Sequence, residues 1–187
     1  YSFDLARRRN KKKHLTSITK SNAQGYGMVL WDNTFSEVAS LYPDISTNSL
    51  LIDAACMDFI RKPEAFDVVV GSNLFGDILT DIAAIITGSM GLASSANLNP
   101  SGEFPSMFEP THGSAPDISG KGVANPMAQI LTAAMMVRHL GHDKPATEIE
   151  KSVLKVLADG KIVTPDLGGD ASTSEVGNAI INNLDKI

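Results

Sequence analysis

The feature that most constrains this chain is a threefold alternation of extended and helical patterning in its first ninety residues. His14-Leu-Thr-Ser-Ile-Thr19 alternates and is rich in β-branched residues, which predicts a strand. Ser49-Leu-Leu-Ile52 reads as a short apolar strand. Phe66-Asp-Val-Val-Val70 reads as a buried one, judged by its continuous valine run. Helical segments follow these strands over 27–42, 54–62 and 76–87. The first carries Leu30, Trp31, Thr34, Val38, Leu41 and Tyr42 on one face and stops at Pro43-Asp44. Pro63 ends the second, and Gly88 and Gly91 end the third. Three strand–helix repeats predict an α/β layered structure. A short helix over 2–9 precedes them. The basic run Lys11-Lys12-Lys13 behind it reads as a solvated helix end, where cations suit the macrodipole.

The texture changes near residue 90. Residues 92–126 are rich in Ser, Asn, Pro and Gly, with a short strand expected at Ser106-Met-Phe108. Helices are then expected over 126–140, 146–158 and 173–185. Ser172 or Thr173 is the candidate N-cap of the last, with Glu175 in its first turn. This predicts two units, residues 1–90 and 91–187.

Composition narrows the function classes. A formal net charge of −5 argues against nucleic-acid binding, which calls for a basic surface. No window approaches the roughly 20 apolar residues of a membrane helix, and no signal peptide is visible. The single cysteine, Cys56, excludes an intrachain disulfide; it reads as a small core residue and suits a reducing, cytoplasmic setting. The chain lacks an initiating Met, and residues 1–9 look like the tail of a helix, so a fragment of a longer protein is expected.

Four groups of residues carry candidate chemistry. Asp77 and Asp81 stand four apart, which puts both carboxylates on one helical face. They read either as solvated acids at a helix start, favoured by the dipole, or as oxygen ligands for a hard cation such as Mg²⁺ or Mn²⁺. Asp53 follows a strand and reads as an N-cap or as a third carboxylate of such a site. Lys20, with Asn22, follows the strand 14–19; it reads as a surface lysine or as a base whose pKa a nearby cation lowers. Glu109-Pro-Thr-His112-Gly-Ser-Ala-Pro-Asp117 reads as a surface loop or as one whose backbone N–H groups meet a phosphate. It contains no G-x-G-x-x-G and so is not a Rossmann fingerprint. His14, His139 and His142 are taken as structural or surface residues.

Together these stretches resemble the isocitrate/isopropylmalate dehydrogenase family. The matching segments, in family order, are Thr19-Lys20-Ser-Asn22, Leu51-Ile-Asp53-Ala-Ala, Phe66-Asp-Val-Val-Val, Asn73-Leu-Phe-Gly-Asp-Ile-Leu-Thr-Asp81, Gly88-Ser-Met-Gly-Leu, Glu109–Ile118, Ala124-Asn-Pro126 and Asp166-Leu-Gly-Gly169. The resemblance implies an isopropylmalate-dehydrogenase-like α/β fold that is incomplete, its N-terminal half being absent. Residues 1–90 would belong to the small, dimerisation domain and 91–187 to the large domain with the NAD-binding loop. Asp53, Asp77 and Asp81 would be the carboxylates for Mg²⁺ or Mn²⁺. Lys20 would be the base that takes a hydroxyl proton through water, in that family's manner, and Lys20 and Asp53 would serve the neighbouring subunit of a homodimer. Glu109, His112, Gly113, Ser114, Ala115, Asp117, Ile118 and Asn125 would hold the nucleotide. Asp117-Ile118 stands where NADP-linked members tend to have Lys-Tyr, which argues for NAD.

The segment Ser95–Glu109 is most similar to the tartrate/D-malate branch of the family, with isopropylmalate dehydrogenase as the alternative. The implied activity is NAD-dependent, metal-dependent oxidation with β-decarboxylation of a 2-hydroxy acid. The family's substrate arginines, its proton-donating tyrosine and the segment that reads the substrate's side chain fall in the absent half. A companion chain or the missing half would have to supply them. Alone, the chain is expected to be an incomplete site, and either an inactive dimerisation fragment or a non-catalytic nucleotide-binding one.

Overall fold

The computed structural model describes residues 1–184, and its contacts divide the chain into two compact units, Tyr1–Ile86 and Thr87–Ile187. The first unit is built on three parallel strands: β1 (His14–Thr19), β2 (Ser46–Leu51) and β3 (Val68–Val70), in the order β2-β1-β3. Thr19 pairs with Leu51 and Ser17 with Val70, so all three strands run out at one edge of the sheet. As the middle strand, β1 is buried from Leu15 to Thr19, polar residues included. A buried hydroxyl without a partner is costly, and for Ser17 the partner is Trp31 Nε1, which donates at 2.9 Å.

Helices α1 (Ser2–Arg9), α2 (Gly27–Ala39), α3 (Ile52–Arg61) and α4 (Asn73–Ile86) surround this sheet. One apolar cluster joins Phe3, Ala6, Leu15, Ile45 and Val68, with Phe35 and Tyr42 packed on it. Phe3 stacks on both Phe35 and Tyr42. A second cluster joins Ile18, Met28, Ala55, Phe75 and Leu79, with the half-buried Cys56 against it.

Several boundaries differ from the sequence expectation. The helix expected over 27–42 stops at Ala39, before Pro43 is reached. The helix expected over 54–62 starts at Ile52, with Leu51 as its N-cap; Asp53 is a first-turn residue and not the cap. The helix expected over 76–87 starts a turn early, at Asn73. The strand expected over 66–70 shrinks to Val68–Val70 because Asp67 is used differently. Its nearly buried side chain accepts from Arg9 Nε at 3.0 Å and from the Lys12 N–H at 3.1 Å. Burial pushes the Asp67 carboxyl up, but these donors outweigh it and hold its pKa below the ordinary value. The basic end of α1 is thus partly tied down, with Lys12 Nζ also donating to the Glu64 carbonyl.

The second unit carries an antiparallel pair, β4 (Ser94–Asn97) and β5 (Met107–Pro110), in which Ser95 faces Glu109. The strand expected at 106–108 is β5, shifted by its pairing; β4 is a Ser-rich segment of low strand propensity that only the partner strand makes extended. Helices α5 (Met127–His139), α6 (Asp143–Asp159) and α7 (Thr173–Leu184) complete the unit. They enclose a core of Met127, Val153, Val156, Ala171, Val176 and Ile180. α6 begins three residues earlier than expected because Pro145 lies in its first turn, where no N–H is needed. The expected end of α7 at 185 lies outside the described residues.

Ser172 is the cap of α7. Its N–H and hydroxyl both donate to Glu175 Oε2, at 2.8 and 2.7 Å, and the Glu175 N–H reaches back to Ser172 Oγ at 3.3 Å, a reciprocal capping box. Thr173 instead ties α7 to the preceding loop, donating to the Ala124 carbonyl at 2.5 Å. Among the described residues no helix is long and apolar enough to cross a membrane.

Candidate functional site

The carboxyl ends of parallel strands are where α/β sheets hold ligands. Lys20 leaves β1 and Asp53 lies just past β2 at this edge, and the register that pairs Thr19 with Leu51 brings the two side chains together. Lys20 Nζ donates to Asp53 Oδ1 at 2.6 Å. The Lys20 hydrogen bond is the largest influence on the Asp53 carboxyl and holds its pKa below the ordinary value. Lys20 is the more buried partner; its side chain is 26% exposed against 61% for Asp53. Asn22 lies in the turn that follows, where the Ala23 and Gln24 N–H groups both donate to the Lys20 carbonyl.

β3 leads into α4, which carries Asp77 and Asp81 one turn apart, both exposed. Because α4 starts at Asn73, neither lies in its first turn, and the helix dipole no longer accounts for two acids there. No side-chain hydrogen bond or ion pair engages either carboxylate among the described residues. Two free hard-oxygen donors on one face suit Mg²⁺ or Mn²⁺. Asp53 does not join them: among the described residues no three His, Cys, Asp or Glu side chains gather at metal-binding distance. One chain therefore brings together Lys20 with Asp53, and Asp77 with Asp81, but not all four.

The α4 face bearing Asp81 has a further property. Leu74, Ile78 and Ile85 are exposed, and their spacing places Asp81 among them, with Asp77 at the margin. On α3, Met57 and Ile60 are exposed as well.

In the second unit, Glu109 lies on β5 and the segment behind it is an open loop. The Thr111 N–H donates to the Ala93 carbonyl at 3.0 Å, closing the strand pair. The N–H groups of His112, Gly113, Ser114, Ala115 and Asp117 make no hydrogen bond among the described residues, and all five residues are exposed. Ala115 takes a left-handed conformation at φ 41°, and the Ile118 N–H closes back on its carbonyl at 3.1 Å. His112 Nδ1 donates to the Gly113 carbonyl at 3.0 Å, which leaves Nε2 as the ring's free nitrogen. A row of unpaired N–H groups is what a phosphate or other anion requires of a loop.

Asn125 does not belong to this open surface by its side chain. Its Nδ2 donates to Asp166 Oδ2 at 2.9 Å, and its Oδ1 accepts the Met127 N–H at 3.0 Å. Asp166 also accepts from Thr164 Oγ1 at 2.5 Å and from Ser89 Oγ. Ser89 Oγ in turn accepts the Gly91 N–H at 2.9 Å. Burial pushes the Asp166 carboxyl up, but the three side-chain donors outweigh it and its pKa lies below the ordinary value. Gly91 is therefore not the helix stop that the sequence suggests, since α4 ends at Ile86. A Cβ there would lie 2.6 Å from Asn125 Cβ and 2.8 Å from Asp166 Oδ2. Sequence reasoning gave Ser89, Gly91, Thr164 and Asp166 no role in a site, although Ser89, Gly91 and Asp166 lie in family-like stretches.

The other histidines lie apart from these groups, and His142, before α6, is exposed. His14 bridges Ser46 and Asn48 along β2, and His139 packs on Phe108.

Known proteins agree with this architecture. The model of the family "Isocitrate/isopropylmalate dehydrogenase" matches residues 1–180. A probable tartrate dehydrogenase/decarboxylase of Bacillus subtilis is 50% identical over 187 residues, covering 100% of this chain and 52% of that protein. A 3-isopropylmalate dehydrogenase of Streptomyces griseus is 49% identical over 181 residues, covering 96% of this chain and 50% of that one. The crystal structure of isocitrate dehydrogenase from Methylococcus capsulatus superposes with a TM-score of 0.93 at 41% identity, over 98% of this chain and 54% of the other. The chain thus spans about half the length of the curated relatives it matches.

Proposed function

The chain belongs to the isocitrate/isopropylmalate dehydrogenase family, and from that membership we propose that it forms the metal- and nucleotide-binding half of an NAD-dependent, decarboxylating dehydrogenase acting on a 2-hydroxy acid of the tartrate or D-malate type. The observation that carries this reading is the set of four charged groups at one end of the parallel sheet and on the helix that follows it: the Lys20–Asp53 pair and the two unpartnered carboxylates of α4. Asp77 and Asp81 would hold a Mg²⁺ or Mn²⁺ ion with Asp53 of a second copy. The exposed loop from His112 to Asp117, with Glu109, Ile118 and Asn125 around it, would hold NAD. When bound, NAD supplies a hydride acceptor, and the divalent cation supplies Lewis acidity toward the substrate's carboxylate and hydroxyl.

The chain's own residues have defined tasks in this reading. Lys20 moves a proton at Nζ, taking it from the substrate hydroxyl directly or through one water. As an ammonium donating to Asp53, Nζ has no lone pair, so Lys20 has to give up one proton before it can take the substrate's. Asp117 offers a carboxylate to ribose hydroxyls and would repel a 2′-phosphate, which favours NAD over NADP. The loop N–H groups from His112 to Ala115 neutralise phosphate charge without a cationic side chain.

The same surface supports a homodimer in this reading. Leu74, Ile78 and Ile85 on α4, with Met57 and Ile60 on α3, are apolar and exposed, and Asp81 sits among the α4 residues. An apolar face threaded by a metal carboxylate suits a site completed by a second subunit. The substrate-reading residues would come from the half of the family length that this chain does not span. A reducing, cytoplasmic setting suits the single free thiol.

The test uses the full-length protein. NADH formation is followed with tartrate, D-malate and 3-isopropylmalate, with Mn²⁺ present or chelated. Turnover that needs the metal and disappears in Asp77→Asn, with the circular-dichroism spectrum unchanged, is expected. Undiminished turnover in that variant would sink the assignment of the metal site; preference for 3-isopropylmalate would move the protein to the other branch.

A further inference from the structure

Three of the family-like stretches meet at one point in the second unit: Gly88-Ser-Met-Gly, Ala124-Asn-Pro and Asp166-Leu-Gly-Gly. We infer that Asp166 is a positioning residue for nucleotide binding, acting through Asn125 by fixing the turn that carries the end of the nucleotide loop into α5. The inference rests on the reading of the Glu109–Asn125 region as the NAD site and adds to it a residue that makes no contact with the cofactor.

The geometry leaves the Asn125 side chain no freedom. Its two ends are taken, by Asp166 Oδ2 and by the Met127 N–H. Its Cβ is walled by Gly91, where even a methyl group would overlap it. Asp166 is the centre of this arrangement because one carboxylate accepts from three side chains on three segments, Ser89, Asn125 and Thr164. Thr164 is fully buried and Ser89 nearly so, so the carboxylate is anchored on the protein interior while it grips Asn125. A carboxylate does this where an amide cannot. Its two oxygens offer four lone-pair sites, whereas an Asn side chain has one oxygen and would turn an N–H toward a donor.

The thread from Asp166 to the ligand is short. Asn125 is held by its side chain, the Met127 N–H is held by Asn125, and α5 begins there. The Ala124 carbonyl on the other side of Asn125 is held by Thr173 at the start of α7. Residues 124–127 are thereby fixed at both ends, while 112–117 stay open. Losing Asp166 frees the Asn125 amide to rotate and removes the order of the fixed end, so a bound nucleotide has to supply it.

The experiment measures the NAD dissociation constant, both Michaelis constants, kcat and Tm on the full-length enzyme, for Asp166→Ala, Asp166→Asn, Ser89→Ala, Asp117→Ala and Arg138→Ala. The expected result for Asp166→Ala is an NAD dissociation constant raised about tenfold or more, with the hydroxy-acid Michaelis constant little changed and kcat recovered at saturating NAD. Asp166→Asn should recover only part of the affinity, and Ser89→Ala should show a smaller rise in the same constant. Arg138→Ala, which breaks the ion pair with Glu150 between the far end of α5 and α6, should lower Tm without moving NAD affinity. That separates positioning from general loss of stability, and Ser89→Ala keeps the test open if Asp166→Ala does not fold. Unchanged NAD affinity in Asp166→Asn and Ser89→Ala while Asp117→Ala binds NAD weakly would overturn the positioning role alone. Unchanged affinity in Asp117→Ala would overturn the nucleotide-loop reading and this inference with it.

Discussion

Lys20 Nζ and Asp53 Oδ1 lie 2.6 Å apart although 33 residues separate them in the chain. The parallel register of β1 and β2 alone brings them together. The Lys20 hydrogen bond depresses the Asp53 pKa. A group with a depressed folded pKa contributes stability that is present above its unfolded pKa, about pH 4, and lost as pH falls through the folded value. Lys20→Met removes the cause, so the Asp53 carboxyl should titrate closer to the ordinary aspartate value. Its side-chain carbon shift, followed by NMR between pH 7 and pH 2, checks this. An unmoved midpoint would mean that Lys20 is not what holds Asp53 ionised.

Asp77 and Asp81 make a prediction whose sign depends on the metal. Without a cation they are like charges at i and i+4, a pairing that costs a helix about 0.2–0.5 kcal/mol. Asp77→Asn should therefore leave metal-free stability equal or slightly higher. With Mn²⁺ the order should reverse, because only the parent gains from binding. Thermal melts with and without Mn²⁺ give the comparison; a variant that gains as much from Mn²⁺ as the parent would contradict the site.

Gly91 and Gly113 should respond differently to the same substitution. At Gly91 an added Cβ falls within 3 Å of Asn125 and Asp166, and Gly91→Ala should destabilise by about 1–3 kcal/mol through overpacking. At Gly113 the added methyl meets nothing within 4 Å. Gly113→Ala should keep stability within about 0.5 kcal/mol, with any effect confined to NAD affinity. Urea unfolding and NAD titration on both variants separate the two cases.

Ser152 is fully buried, and its hydroxyl finds no partner among the described residues. A buried, unpaired hydroxyl costs about 1–3 kcal/mol. Ser152→Ala removes that cost together with little volume, so it should be neutral or stabilising. A loss of more than about 1 kcal/mol in urea unfolding would show that the hydroxyl has a hydrogen-bond partner after all.

Acid should loosen the knot around Asp166. Its carboxyl is held below the ordinary value by Ser89, Thr164 and Asn125 against the opposing effect of burial. Its contribution is present above about pH 4 and is lost as pH falls through the folded pKa. Protection of the Met127 amide from exchange, relative to the intrinsic rate at each pH, should therefore fall in that acid window, and it should fall less steeply in Asp166→Asn. A pH dependence identical in the two proteins would remove Asp166 as its source.

Much of the fold was legible from local pattern. The β-branched run 14–19 and the valine run after Asp67 were identified as strands, because apolar, branched side chains favour a buried, pleated surface wherever they occur. The helices of the first unit were found within a few residues. Their starts lie at Ile52 and Asn73 rather than at 54 and 76, because a cap is defined by backbone direction, which a side-chain pattern does not report. β4 was missed for a related reason: Ser94–Asn97 has no strand signal of its own and is extended only because β5 pairs with it.

By itself the sequence determined the α/β class, the residue types available for metal and nucleotide chemistry, and the open loop at 112–117. Only the tertiary structure decided which of those residues meet. Hydrophobic periodicity records how each segment faces its own neighbours within a turn or a strand, and it carries no term for register between distant segments. The Lys20–Asp53 pair and the Ser89–Asn125–Asp166 knot, whose outer members are 77 residues apart, exist because strand register and side-chain packing close those separations.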